Sequence, residues 1–419
     1  MKFVVGVAVL ALVGLTGVTA VAQASTSSAT STTAPAAAST RAPAGGATVH
    51  GVTGTSIKVG GLGYSYLYGG ADVGARARFQ RANDAGGVNG RAIDYTGFND
   101  DGGNADTGTA AARKLVEQDG VFAVVPAVTP DMSASSYLGQ RKVPYFGLAM
   151  SSNFCGNRYG FGYTGCPVPA HATSNAWPSL IASTFPGGAA GHTVGIVAEN
   201  TPSGQYDVAA LSAAAPSVKL TVSYAQTPLG TPATPDYGPA AHAVLTSNGG
   251  KAPDAVFVLG GPSNVVGMEL ALTAANYPGI VTNRIQYAPE LVAPAVNAVV
   301  FTQTAPVETA SNNAAMRQLV TDVQKIAPDQ PIDAGVVAGY WSADLFLAAV
   351  QKAGKKLTAA SLDKAANTKF TYEVPNTVGP TKFPAAHSVP TPCGALVSSN
   401  GTSYTVKAPY GCGRVVAVK

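Results

Sequence analysis

Charge is scarce in this chain. Lys, Arg, Asp and Glu together make up 11% of the 419 residues, and the formal net charge of +4 is spread along the sequence with no basic run. Phosphate backbones are held by clustered Lys and Arg, so this pattern speaks against nucleic acid as a partner. Catalytic signatures are missing as well. There is no G-x-S-x-G elbow, no H-E-x-x-H pair and no Walker loop, and the five histidines (His50, His171, His192, His242 and His387) are scattered without ligand spacing. That pattern argues against an enzyme, a metal site or a cofactor. Asp100 and Asp101 in "NDDGGNAD" have the look of a calcium loop but lack its terminal Glu, and they read as a polar strand end capping the next helix. What is abundant is apolar: 46% hydrophobic residues over this length can build two sizeable cores.

The first residues, "MKFVVGVAVLALVGLTGVTAVAQAS", have one Lys, a long apolar run and a small-x-small end at Ala22-Gln23-Ala24. This reads as a cleavable secretory signal over 1–24. An uncleaved anchor is the alternative, since the run is nearly long enough to span a bilayer. No cysteine follows the signal, so the chain lacks the acceptor of a lipoprotein and is expected free in the cell envelope or outside the cell. Residues 25–51 are mostly Ser, Thr, Ala and Pro. Such a segment cannot offset its ordering entropy, and it reads as a disordered spacer open to glycosylation. The four cysteines fall as two local pairs, Cys155 with Cys166 and Cys393 with Cys412. An even count in an exported chain favours disulfides. Three connectivities are possible, and the two local loops are expected because each closes a Gly/Pro-rich segment with little core of its own.

From Val52 onward strand and helix patterns alternate. "SIKVGGL", "RAIDYTGFNDD", "VFAVVPAV" and "VPYFGLAM" read as strands; "GADVGARARFQRANDA" and "DTGTAAARKLVEQDG" read as helices, the latter capped at Asp106 or Thr107, with a short helix starting near Asp131. The rhythm restarts with "HTVGIVAEN", "KLTVSYAQT", "DAVFVLGG" and "RIQYAP" as strands separated by helices. Two long helices and a tail of short strands follow. Strands separated by helices mean mainly parallel sheets covered on both faces, and two such lobes put the natural site in the crevice at their strand ends. The glycines of "RANDAGGVNGRAIDY" follow a helix and precede a strand, the wrong order for a phosphate loop. They fit a helix C-terminus at Gly86 or Gly87 and a turn at Asn89-Gly90.

The succession "NDAGGVNGR", "FNDDGGNAD", "RKLVEQDG" and "VFAVVPAV" resembles the type I solute-binding proteins of ABC importers, in particular the branched-chain amino acid (Leu/Ile/Val) group, over about residues 55–380. The resemblance implies an α/β fold of two lobes, each a mainly parallel sheet flanked by helices, joined by three crossings. Lobe 1 would hold 52–168 and 305–365, and lobe 2 169–304 and 366–419. It implies a monomer that captures a small ligand, an amino acid or related apolar or aromatic compound, and passes it to ABC permease and ATPase subunits. A secreted ligand-sensing domain of the same fold is the alternative.

By the same resemblance, ligand contacts come from loops at strand ends. "GYSYLYGG" offers Tyr64, Tyr66 and Tyr68, with Tyr68 aligning best. The loop at Thr129 keeps one hydroxyl where the family often has several, and Pro130 and Asp131 beside it disfavour a carboxylate. Ala149 and Ser151 match a backbone acceptor and a hydroxyl. In lobe 2 the resemblance points to Ser203, Gly261 and Pro262, and to Glu290 as the carboxylate that pairs with a ligand ammonium. Tyr340 and Trp341 stand at helical spacing and read as core.

Overall fold

The computed structural model describes residues 49–288, 291–292 and 298–418. The expected signal, most of the spacer and Glu290 lie outside the described residues.

The first sheet has the order β2-β1-β3-β4-β5, made of β1 (Ser56–Gly63), β2 (Ala92–Asp100), β3 (Ala123–Val128), β4 (Tyr145–Gly147) and β5 (Gly160–Gly162). All its pairings are parallel. Every residue of β3, "AVVPAV", is buried, as a central strand covered on both faces requires. Between the strands run α1 (Ser65–Tyr68), α2 (Gly70–Asp84), α3 (Ala105–Arg113) and α4 (Ser135–Arg141). The glycine-rich turn is punctuation. Gly87, at φ +77°, donates its N–H to Ala82 O (2.8 Å) and ends α2, while Asn89 and Gly90, both at positive φ, turn the chain between Val88 and Arg91. The cap of α3 is Asn104, which accepts from Thr107 N at 3.0 Å, rather than Asp106 or Thr107, because the chain is still extended at 104.

The chain then passes through β6 (Ala172–Ser174) into α5 (Ala176–Ser183), β7 (Thr193–Glu199), α6 (Pro202–Ala214), β8 (Thr221–Leu229), α7 (Gly238–Leu245), β9 (Ala255–Leu259), α8 (Pro262–Ala274), β10 (Ile280–Asn283) and β11 (Ala298–Thr302). Here β10 falls earlier than "RIQYAP". Residues 280–283 are the ones that pair with β9 and β11, and Asn283 Oδ1 then accepts from Ile285 N and Gln286 N, a side-chain turn that ends the strand.

The chain returns to the first lobe for α9 (Ala314–Ile326), α10 (Ala334–Ala353), α11 (Ala359–Ala366) and the hairpin of β12 (Phe370–Val374) and β13 (Val378–Phe383). Helix α10 is capped by Asp333 Oδ1, which accepts from Val336 N at 2.7 Å, and it crosses α2 closely. A Cβ on Gly74 would lie 2.0 Å from Val336 O and one on Gly339 2.0 Å from Ala71 O, so this crossing requires glycine on both helices. Phe370, Tyr372 and Phe383 pack into the first core with Phe79, Phe146 and Phe346. The hairpin therefore belongs with the first lobe, although 366–419 reads from sequence as the second. Its alternating apolar residues have the open face of the first core to cover.

Finally β14 (Cys393–Ser399) and β15 (Tyr404–Cys412) extend the second sheet antiparallel, giving β15-β14-β11-β10-β9-β7-β8, and β16 (Val415–Ala417) pairs with β6. Disulfides join Cys155 to Cys166 and Cys393 to Cys412.

Candidate functional site

Three segments carry the chain between lobes: β5 to β6, β11 to α9, and β13 to β14. The first leaves from the carboxyl end of the first sheet. The second leaves from the carboxyl end of β11, and the third enters beside it, since Thr302 pairs with Ala395 near the start of β14. At the first-lobe side the third crossing is strapped to the first, with Cys166 N donating to Val389 O (3.0 Å) and Thr391 N to Thr164 O (2.8 Å). The carboxyl ends of both sheets therefore converge on the hinge, and the loops leaving them form the two rims of a cleft.

On the first rim, Tyr64 donates its N–H to Val128 O (3.0 Å), which seats the loop after β1 beside the end of β3. The ring of Tyr64 lies against Gly103, 3.1 Å from where a Cβ would stand, and 5.9 Å from the Tyr66 ring, centroid to centroid. Tyr66 is 83% exposed and Leu67 41%. Tyr68 is instead half-buried against the small cluster of Ala71, Val128 and Ala338, on which Phe98, Leu148 and Met150 also pack, and burial raises its pKa.

The polar residues expected on this rim are already engaged. Thr129 is fully buried, and its hydroxyl accepts from Asp131 N (3.1 Å) and donates to Asp131 O (3.2 Å). Ser151 is buried and caps a short turn at Asn153 N (3.3 Å). Ala149 is buried, and its carbonyl accepts from Thr164 Oγ1 (3.3 Å). Asp100, read from sequence as a helix cap, closes the loop after β1: Ser65 N donates to its Oδ1 at 2.9 Å, which holds its carboxyl below the usual range. Asp101 is fully buried and accepts from Gly103 N (2.8 Å), and burial raises its pKa.

The second rim carries charge that sequence reasoning did not select. A hollow of about 140 Å³ at the ends of β7, β9 and β10 is lined by Glu199, Thr201, Ser203, Asp207, Gly260 and Arg284 among others. Glu199 Oε1 accepts from Gly261 N and Asn264 Nδ2, each at 2.7 Å, so the Gly261 N–H faces a carboxylate of its own chain. Ser203 and Pro262 are exposed in the first turns of α6 and α8. Arg284 Nη2 donates to Asp207 Oδ2 at 2.6 Å while nearly half its side chain stays open to solvent. The signal for these residues was their place: Glu199 ends β7 and Arg284 follows β10, where crevice ligands bind in parallel sheets. Among the described residues no group of three His, Cys, Asp or Glu could hold a metal.

A family model described as periplasmic binding protein matches residues 60–403. Among curated proteins none matches. Several solved structures share the fold. A fatty acid ABC transporter substrate-binding protein from Thermomonospora curvata is 19% identical, with 87% of this chain and 95% of that chain covered and a TM-score of 0.61. A possible leucine/isoleucine/valine-binding protein from Rhodopirellula baltica SH 1 is 16% identical over 87% and 98%, with a TM-score of 0.65. An R. palustris ABC transporter solute-binding protein in complex with 4-hydroxybenzoate is 17% identical over 85% and 97%, with a TM-score of 0.64.

Proposed function

The chain belongs to the periplasmic binding protein family, and from that premise we propose that it captures a small apolar or aromatic carboxylic acid between its lobes and hands it to the permease of an ABC transporter. The family consists of extracytoplasmic, transport-associated binding proteins rather than enzymes. Among the described residues no helix is long and apolar enough to cross a membrane.

The contrast between the two rims carries the ligand class. Tyr64, Tyr66 and Leu67 offer aromatic and apolar surface on one side. Arg284 is the cation among the described residues lining the hollow on the other. Aromatic rings bury large apolar area while a guanidinium takes a carboxylate through two parallel hydrogen bonds. The engaged state of Thr129, Ala149 and Ser151 supports the same reading, because it leaves the first rim without the hydroxyl set that would fix an amino-acid carboxylate. Similar folds in complex with 4-hydroxybenzoate, or named for fatty acids, are in keeping with it. Hinge closure brings the rims together without chemistry.

A thermal-shift panel of aromatic acids, fatty acids, amino acids and sugars tests this. An acid at a hundred times its dissociation constant stabilises by about 2.7 kcal/mol. Stabilisation by sugars or amino acids, with none from apolar acids, would overturn the proposed class.

A further inference from the structure

The polar stretch that ends β2, Asn99 to Gly103, is laced to the loop that carries Tyr64. Asp100 Oδ1 accepts from Ser65 N at 2.9 Å and from Gly102 N at 3.2 Å, so one carboxylate oxygen ties the loop after β1 to the loop after β2. Asp101 is fully buried; its N–H donates to Gly63 O (3.0 Å) and its Oδ1 accepts from Gly103 N (2.8 Å). Gly102 and Gly103 both stand at positive φ, +60° and +68°, but they differ in what lies over them. A Cβ on Gly103 would stand 3.1 Å from Cε2 of Tyr64 and 3.3 Å from both Cδ2 and Cζ. Three neighbouring ring atoms at nearly one distance place that position over the face of the ring, since an edge-on approach would leave the outer two much farther away. A Cβ on Gly102 would meet Asn104 Nδ2 at 3.2 Å and no ring. Tyr64 is half-buried, and the exposed Tyr66 ring is tilted by 41° rather than stacked on it. One face of Tyr64 is thus backed by the main chain, and the rest of the ring is open on the rim.

We infer that Gly103 is a positioning residue that sets specificity: by letting the Tyr64 ring lie flat on a loop laced by Asp100 and Asp101, it fixes an aromatic face on the rim, and the acid that this face selects has a planar aromatic body rather than an aliphatic one. The inference rests on the proposed function and narrows its ligand class. A ring backed by fixed main chain is already ordered before the ligand arrives, so little freedom is lost on binding. A planar ligand ring meets it in an offset stack, which is worth more than the area it buries, whereas a puckered or branched body of equal carbon count touches a flat face at fewer points. Any side chain at 103 takes the place of the ring and lifts it from the loop. The two aspartates serve the same end, since neither loop can shift to restore the contact while Asp100 holds Ser65 and Gly102 together and Asp101 holds Gly63 and Gly103.

Calorimetry on the full chain with benzoate and cyclohexanecarboxylate, which share charge and carbon count and differ in planarity, tests this. The wild type is expected to bind benzoate several-fold to roughly tenfold more tightly. Asn accepts positive φ more readily than most residues with a side chain, so Gly103→Asn and Gly102→Asn carry a similar backbone cost. The first is expected to erase the preference and the second to keep it. Tyr64→Ala is expected to erase it too, and Gly103→Asn added to Tyr64→Ala to change it no further. Equal affinity for the two acids in the wild type, a preference that survives Gly103→Asn, or one that is lost as fully in Gly102→Asn would overturn the inference and leave the carboxylate site standing. Binding of neither acid to the wild type would overturn the proposed function and this inference with it. If Gly103→Asn fails to fold, Gly103→Ala against Gly102→Ala makes the same comparison.

Discussion

Arg284 and Asp207 meet at 2.6 Å on the rim of the second lobe, the aspartate buried and the arginine half-open. Such a pair stores a cation in an accessible place without leaving its partner charge uncompensated. Replacing Arg284 by Gln removes the charge-assisted bond to an acid, worth about 1.5–3 kcal/mol, so affinity is expected to fall roughly ten- to a hundredfold by calorimetry. Asp207→Asn frees the guanidinium and is expected to tighten binding. The reverse order would show that Asp207, not Arg284, meets the ligand.

The loop after β10 also reaches the second crossing. Tyr287 donates to Glu308 Oε2 at 2.6 Å and accepts from Val307 N at 2.9 Å. Tyr287→Phe leaves both without that partner, and the expected loss is about 1–3 kcal/mol in urea unfolding. A neutral result would mean that water takes over both bonds.

Stability carries a pH signature of Glu269, a buried carboxyl on α8. Its folded pKa, about 7, lies above the ordinary 4.5, so between these values the native state holds more protons than the unfolded chain. This contribution is full below about 4.5 and is lost as pH rises through 7, a difference on the order of 3 kcal/mol. Glu269→Gln is expected to flatten that part of the profile, and denaturant midpoints from pH 5 to 8 measure it. A mutant as pH-dependent as the wild type would contradict that shift.

Glu290 separates an amino acid from a simple acid. If the solute is a simple apolar acid, Glu290→Gln leaves affinity unchanged. If an ammonium is recognised there, affinity for an amino acid falls roughly tenfold or more while the acid is unaffected. Paired titrations of leucine and 4-hydroxybenzoate make the comparison.

Much of the first lobe is legible in sequence because its signals are local. The turn at Gly86 to Gly90 and the fully apolar β3 each follow from a few adjacent residues. The misplaced β10 and the reassigned hairpin depend on pairing across the fold: "RIQYAP" looks extended, but Asn283 bends the chain before it. At the cleft, residue type was a poor guide to availability. Thr129 and Ser151 carry the right hydroxyls, but burial turned them inward to satisfy neighbouring backbone. Arg284 escaped notice because a lone Arg after a strand has no motif; only its convergence with Glu199 and Asp207 around one hollow marks it.

The central claim is that this cleft recognises an ionised carboxylate on an apolar body. Its most direct test is a calorimetric comparison, on the wild-type protein, of the best-stabilising acid of the panel with its own carboxamide, which keeps shape and hydrogen bonding but removes the charge. The acid is expected to bind roughly ten- to a hundredfold more tightly. Equal or tighter binding of the carboxamide would contradict the account.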